Sequence, residues 1–395
     1  MFDQDSCLER LLARHDDAVV VEAVPGRPAL IRRDQLLVAP QDAPVVADLI
    51  RRWHDSGEDD HGVHRMRLRP AARVDVCELA SQVAGDRRHR ELAVAPNHLV
   101  QGQPMWWSGP ADLPRVAAPV PAPSPRLAAR ETTVAVLDTG LSPHPWYETT
   151  DWYAEHGDDA AEVLDADLDC ELDAQAGHGT FIAGVVLQHA PSARIRAMRV
   201  LGGDGIGDEL DVVRALARLA AWGGADVVNL SLGCHTYDDR PSPVVSRALA
   251  RLRSSRRRPV VVACAGNTGG DRPFWPAAMK SVISVAALDT RRGRADRAWF
   301  SNYGWWVDAC APGVDVASCF VRFGEFDGYA TWSGTSFAAP AVAGMIADLA
   351  AQEDVSAAEA AERVLSPADA RTLPDLGVVV MPQSRDEVQR EPVGV

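Results

Sequence analysis

The sequence predicts an α/β fold, a parallel β-sheet sandwiched by helices, preceded by a small ferredoxin-like α+β domain. Three observations carry that prediction. From about residue 132, near-continuous apolar runs such as "TTVAVLD", "ADVVNLSLG" and "PVVVACAGN" alternate with amphipathic patterns such as "DELDVVRALARLAAWGG". Strands apolar on both faces belong to a parallel sheet covered by helices on both sides. Before residue 103, strand patterns interleave with two helical ones, the composition of a small α+β sandwich. Between the two, "AAPVPAPSPRLAARE" holds too much proline and alanine to build a core and reads as an extended linker.

In chain order, residues 1–17 read as a short helix or arm. "AVVVEAV" and "PALIRRDQLLVAP" read as strands, "DAPVVADLIRRWH" as a helix, "GVHRMRLRP" as a strand, "VDVCELASQVAG" as a helix and "ELAVAPNHLV" as a last extended piece. The expected division is a domain at 1–103, a linker at 104–130, a larger domain at 131–380 and a disordered tail at 381–395. The larger domain opens on "TTVAVLDTG", a strand ending in Asp138 with Gly140 making the turn. Residues 148–177 form an acidic loop whose "DADLDCELD" sets alternate acids on one face of an extended segment, a solvated face rather than a cation site. "HGTFIAGVVLQHA" is a helix, "ARIRAMRVL" a strand, and further helices and strands alternate to "KSVISVAALD". After the β-prone "YATWS", the small-residue run "FAAPAVAGMIADLAA" begins a helix. Ser336 stands at or just inside its N-terminus, Thr335 is the capping neighbour and Pro340 fits the first turn.

Composition excludes several functions. A formal charge of −15 argues against nucleic acid or anionic membrane as a partner. The run Arg256-Arg257-Arg258 is a solvated helix end. No apolar run is long enough to span a membrane, and no secretory signal is legible. The cysteines at 7, 77, 170, 234, 264, 310 and 319 are odd in number and lack metal-type spacing, which fits reduced thiols in a cytoplasmic protein. No metal and no cofactor is expected. "GGDGIG" lacks the Lys-Ser/Thr ending of a phosphate loop.

The remaining residues carry chemistry. Asp138 ends a strand, His178 lies between glycines in "GHGT", and Ser336 opens a helix. A serine hydroxyl becomes a nucleophile when an imidazole takes its proton, and the imidazole works best when a carboxylate orients it. Asp, His, Ser is one of the known chain orders for that trio. Here "VAVLDTGLSPHP", "GHGTFIAGVV", "ADVVNLSLG", "VVACAGN", "FSNYGWWVDACAPGVDV" and "GTSFAAPAVAG" resemble, block after block from about 132 to 350, the subtilisin-like serine proteases. Two positions depart from the family pattern: Phe181 replaces a frequent second histidine, and Phe337 replaces the commoner methionine after the serine.

The resemblance implies roles. Ser336 attacks the scissile carbonyl, His178 takes and returns the proton, and Asp138 orients His178. Asn267 offers its amide to the oxyanion beside the Ser336 backbone N–H; in subtilisin, losing the corresponding asparagine costs about 10²–10³ in kcat. A peptide or protein substrate would add as a strand between Gly205-Ile206-Gly207 and Ser231-Leu232-Gly233. The primary pocket would lie between Ser231-Leu232-Gly233 and Ala265-Gly266-Asn267, with Phe274 near its floor and Cys234 and Cys264 as small apolar fillers. Asp208 and Glu209 would favour basic substrate side chains. The N-terminal domain, ending in "APNHLV", is similar to the inhibitor-type propeptides that act as intramolecular chaperones of these proteases. A structural calcium ion is compatible with the resemblance, with no ligand set legible. The expected function is a serine endopeptidase, a processing or regulated protease. An autoinhibited binding protein on a protease scaffold and an acyl-transferring ligase or macrocyclase are the alternatives.

Overall fold

The first hundred residues build one antiparallel sheet with two helices on one face and a third against the other. The computed structural model describes residues 4–86, 91–102, 113–157, 160–366 and 370–382. Helix α1 (Gln4–Arg14) leads to β1 (Ala18–Val21), β2 (Ala29–Val38), α2 (Ala43–Leu49), β3 (His54–Asp60), β4 (Val63–Leu68), α3 (Val76–Ala84) and β5 (Val94–Gln101). The strand order β3-β4-β2-β5, read with the two helices, is the β-α-β-β-α-β arrangement of a ferredoxin-like sandwich; β1 pairs with β2. Side chains alternate across this sheet. Leu36 and Val38 join Val46, Ile50, Leu79 and Val83 in a core under α2 and α3, whereas Leu37 and Val63 face the core of the second half of the chain. Asp75 caps α3 by accepting the Cys77 and Glu78 N–H groups at 2.8 and 3.0 Å. Strand β3 has no sequence signal: "HDSGEDD" carries no apolar alternation, and this edge strand is made by its ladder with β4 alone.

Beyond Gln101, β6 (Arg115–Val116) precedes β7 (Thr133–Asp138), α4 (Asp151–Ala154), α5 (His178–His189), β8 (Arg194–Arg199), β9 (Ile206–Asp208), α6 (Glu209–Trp222) and β10 (Val227–Leu230). Then come α7 (Pro243–Arg253), β11 (Val260–Cys264), β12 (Ile283–Asp289), β13 (Asp296–Arg297), β14 (Ala309–Pro312), β15 (Val316–Phe323) and β16 (Phe326–Trp332). Last are α8 (Thr335–Glu353), α9 (Ala357–Leu365), β17 (Thr372–Leu373) and β18 (Gly377–Val379). The main sheet runs β8-β7-β10-β11-β12-β14-β18-β17. It is parallel from β8 to β18, with β13 and β17 added antiparallel. Helix α8 is buried along most of its length. Its Gly344 lets it close on α5, because a Cβ there would lie 2.9 Å from both His189 Cβ and the Val186 carbonyl oxygen. Among the described residues no helix is long and apolar enough to cross a membrane.

One local expectation is added to and two are corrected. The linker, expected to be extended, is also anchored in its described part, 113–130. Arg115 and Val116 pair with Thr331 and Ala330 of β16, and the Arg126 N–H reaches the Ser192 hydroxyl at 2.9 Å. Proline-rich chain stays extended, and its non-proline residues supply the anchors. Pro340 is the sixth residue of α8, inside the helix and not in its first turn. The acidic segment is folded back on itself: Leu168 and Cys170 are left-handed, with φ of 62° and 70°, and Asp165 accepts the N–H groups of Asp169 and Cys170. The carboxylates of Asp165, Asp167 and Asp169 thereby come within 4.8 Å of one another. Residues 104–112 of the expected linker and 383–395 of the expected tail lie outside the described residues.

Candidate active site

The carboxyl ends of parallel strands bring the site together, as they do in open α/β sheets. Asp138 is the last residue of β7; Ser231–Gly233 follow β10, and Ala265–Asn267 follow β11. His178 opens α5. The residue before it, Gly177, has φ of 90°, and a Cβ there would lie 2.3 Å from the Phe320 ring, so glycine is required. Asp138 and His178 are fully buried, and His178 Nδ1 donates to Asp138 Oδ1 at 2.7 Å. The Thr139 N–H donates to the same oxygen at 2.8 Å.

Aromatic rings hold the imidazole from the other side. Trp332 meets it edge-on at 5.4 Å and Phe337 lies at 5.3 Å. Phe337 packs on Phe181 at 4.6 Å. The two positions that depart from the family pattern are thus neighbours, and one aromatic contact replaces both usual side chains.

Ser336 is the second residue of α8, and Gly334 takes the N-cap position. Thr335, expected as the capping neighbour, instead gives its backbone N–H and its hydroxyl to Asn267 Oδ1 at 2.8 and 2.9 Å. Only the amide oxygen can accept those two bonds, so the amino group is the other end. That buried Asn267 Nδ2 has no partner, as an oxyanion donor awaiting its charge requires. The Ser336 hydroxyl donates to the Gly102 carbonyl oxygen at 3.0 Å, and the Ser231 carbonyl lies at 3.4 Å. His178 Nε2 is buried without a partner. The Asp138–His178 link is therefore made and the His178–Ser336 link is not, the hydroxyl being turned to the chain's own Gly102. A Cβ on Gly102 would lie 3.5 Å from the His178 ring, so imidazole, hydroxyl and Gly102 share one small space.

Both expected edges are filled by β5. Leu99, Val100 and Gln101 pair antiparallel with Asp208, Gly207 and Ile206. Gln101 exchanges two bonds of 2.9 Å with Gly233, and the Gly102 N–H reaches the Gly205 carbonyl at 3.0 Å. Leu232 is fully buried, so its backbone and not its side chain borders the cleft. Phe274 stands where the primary pocket was expected: Cβ atoms on Gly233 and Gly266 would meet its ring at 2.5 and 3.0 Å. The Asn302 Nδ2 group donates to the Ala265 carbonyl at 2.9 Å, and the Gly266 N–H donates to the Thr335 hydroxyl at 3.0 Å. Burial pushes the Cys264 thiol up to about 12 and the Cys234 thiol well above its ordinary value, in keeping with inert fillers.

The N-terminal unit adds side chains that sequence reading did not assign. Asn97 Oδ1 accepts the Leu210 N–H at 3.2 Å, at the start of α6. Arg32 Nε donates to Asp208 at 3.1 Å, and buried His98 pairs with buried Glu209 at 3.2 Å. Glu162, in the acidic loop, bonds to both segments that carry Asp138 and His178. An acid in a polar loop reads as a solvated turn, so no sequence signal marks it.

Comparison with known proteins bears on the family. Residues 129–377 match the Subtilase family. A thermophilic serine proteinase of Bacillus sp. (strain AK1) is 39% identical over 231 residues, covering 55% of this chain and 52% of that protein; the match spans about half the length of this relative. Subtilisin BL of Lederbergia lenta is 35% identical over 252 residues, covering 61% of this chain and 83% of that protein. A solved protease structure from Pseudoalteromonas arctica PAMC 21717 superposes with a TM-score of 0.51 at 28% identity, covering 64% of this chain and 88% of that one. With the family match running from before β7 through α8 and α9, the chain belongs to the subtilase family.

Proposed function

We propose that this chain hydrolyses peptide bonds through Asp138, His178, Ser336 and Asn267, and that its first hundred residues occupy and close the same site. The observation that carries this is β5 bound between the two edges with Gly102 on the Ser336 hydroxyl. A polypeptide lying there makes the backbone pairing a substrate would make. With the cleft vacated, the Ser336 hydroxyl is free to turn to His178 Nε2, the buried atom now without a partner. His178 then removes the proton as Ser336 attacks a substrate carbonyl, and Asp138 holds the imidazolium through Nδ1. The oxyanion is met by Asn267 Nδ2 and the Ser336 N–H at the positive end of α8. His178 returns its proton to the leaving amine, and water repeats the sequence on the acyl-enzyme.

The N-terminal unit thus reads as an intramolecular inhibitor and folding template, and the enzyme as a processing or regulated protease. We also propose a reducing, cytoplasmic setting, since Cys77, Cys170, Cys234, Cys264, Cys310 and Cys319 are all free thiols. Purified wild type and Ser336→Ala are compared by intact mass and by labelling with a fluorophosphonate. Wild type is expected to label at Ser336 and to shed its N-terminal unit, and Ser336→Ala to do neither. A wild-type chain that stays full length and unlabelled would defeat the protease reading in favour of a binding protein on this scaffold.

A further inference from the structure

Glu162 makes a connection that the four assigned residues do not. Its Oε1 accepts the Gly177 N–H at 2.7 Å and a hydrogen bond from the Thr139 hydroxyl. Its Oε2 accepts from the Thr180 hydroxyl, with the Ser142 hydroxyl at 3.4 Å. Thr139 directly follows Asp138, and Gly177 and Thr180 flank His178. The Thr139 oxygen also accepts the Gly179 N–H at 2.9 Å and lies 3.3 Å from Asp138 Oδ1. The Thr180 oxygen accepts the Ser142 N–H at 2.8 Å. One carboxyl group thereby ties the end of β7 to the first turn of α5. It makes no hydrogen bond to Asp138, to His178 or to the chain in the cleft.

We propose that Glu162 is a positioning residue for the Asp138–His178 pair, holding strand end and helix start in the register that keeps Nδ1 on Asp138. The inference rests on the protease reading. Proton accounting shows how it acts through Thr139, whose single hydroxyl proton faces two acceptors, Asp138 Oδ1 and Glu162 Oε1. With Glu162 ionised, that proton goes to Glu162. With Glu162 protonated, its O–H donates to the Thr139 oxygen, and the Thr139 proton turns to Asp138. The Thr139 oxygen then accepts from Gly179 and Glu162 and gives one proton, which uses all of its bonding capacity. Burial first, then the nearby Asp138 charge, raises the Glu162 carboxyl from its ordinary value against the hydrogen bonds from Thr139, Thr180 and Gly177. Tyr147 and Cys319 also face Glu162, and burial keeps both neutral.

The test starts from the full chain and follows Ser336 labelling by a fluorophosphonate in the molecules that have shed the N-terminal unit, resolved into a maximal rate constant and an apparent binding constant. Loss of positioning slows the chemical step and leaves binding alone. Glu162→Ala is expected to lower the maximal rate about tenfold to a hundredfold with binding unchanged. Glu162→Gln keeps an oxygen for Gly177 and should stay within about threefold of wild type, a rescue by shape and hydrogen bonding. Thr139→Val should slow labelling as Glu162→Ala does, and the double variant should be no slower than either single one, because both cut the same tie. If Glu162→Ala does not fold, Glu162→Gln and Thr139→Val decide, and wild-type rates in Thr139→Val overturn the proposal. A folded Glu162→Ala labelling at the wild-type rate also overturns it while leaving the protease reading intact. A wild type that never labels overturns both.

Discussion

Pro340 removes the N–H that would close the α-helical bond to the Ser336 carbonyl four residues earlier, and the Ser231 hydroxyl supplies the missing donor at 2.7 Å. Asn229 Nδ2 in turn donates to Ser231 Oγ at 2.9 Å. A proline that looks like a helix fault therefore goes with a bond that fastens the backbone of Ser336, the proposed nucleophile, to the strand wall of the cleft. Ser231→Ala would leave that buried carbonyl unsatisfied, at a cost of about 1–3 kcal/mol. Measured by urea unfolding in a Ser336→Ala background, which prevents self-digestion, an unchanged midpoint would show that the bond contributes nothing. Asn267 follows the same logic: two bonds from Thr335 fix its oxygen, and the free end is the one the proposed chemistry would use.

The start of α6 is where cleft edge, helix cap and inhibitory strand meet. Asp208 accepts the Asp211 N–H at 3.2 Å as N-cap, Asn97 reaches across from β5 to Leu210, and Arg32 and His98 sit on Asp208 and Glu209. The N-terminal unit thus places cationic or protonatable groups on the two acids expected to select basic substrate side chains. With β5 gone, both carboxylates face whatever strand replaces it. Asp208→Asn with Glu209→Gln preserves the cap and removes the charge. Profiling the processed enzyme on a peptide library should show a preference for Lys and Arg upstream of the cut in wild type, reduced about threefold to tenfold in the double variant. Equal preferences in the two enzymes would remove these acids from specificity.

Over the whole molecule, the N-terminal sheet works on both faces and one edge. One face carries α2 and α3, the other carries α1 and packs Leu37 and Val63 onto the main core, and β5 extends into the cleft, where Val100 joins that core. Charge pairs add direction: Arg14 to Asp173 at 3.1 Å, His15 to Asp204 at 2.7 Å and Arg247 to Asp42 at 2.5 Å cross between the units. A parallel sheet assembled from distant strands folds slowly, and under the proposed function a preformed unit seating β9, α6 and the Ser231–Gly233 edge together would shorten that search. In a Ser336→Ala background, a chain lacking residues 1–103 should refold at least about tenfold more slowly than the full chain, with recovery when 1–103 is added separately. Equal refolding rates would confine the N-terminal unit to inhibition.

By itself the sequence determined the strand and helix alternation, the ferredoxin-like order of the first unit and the segments bearing Asp138, His178 and Ser336, from local signals: apolar runs, glycine-flanked turns, a small-residue helix. Asn267 and the two cleft edges are expectations from the family resemblance. Only the tertiary structure decided that β3 is a strand, that Phe181 and Phe337 share one contact, that Ser231 answers Pro340, and that Gly102 rather than His178 receives the Ser336 hydroxyl. It alone decided that Glu162 bridges the acid and base segments. These depend on partners far apart in the chain, and a residue's own neighbours carry no record of which distant group will meet its hydrogen-bonding atoms once the backbone closes.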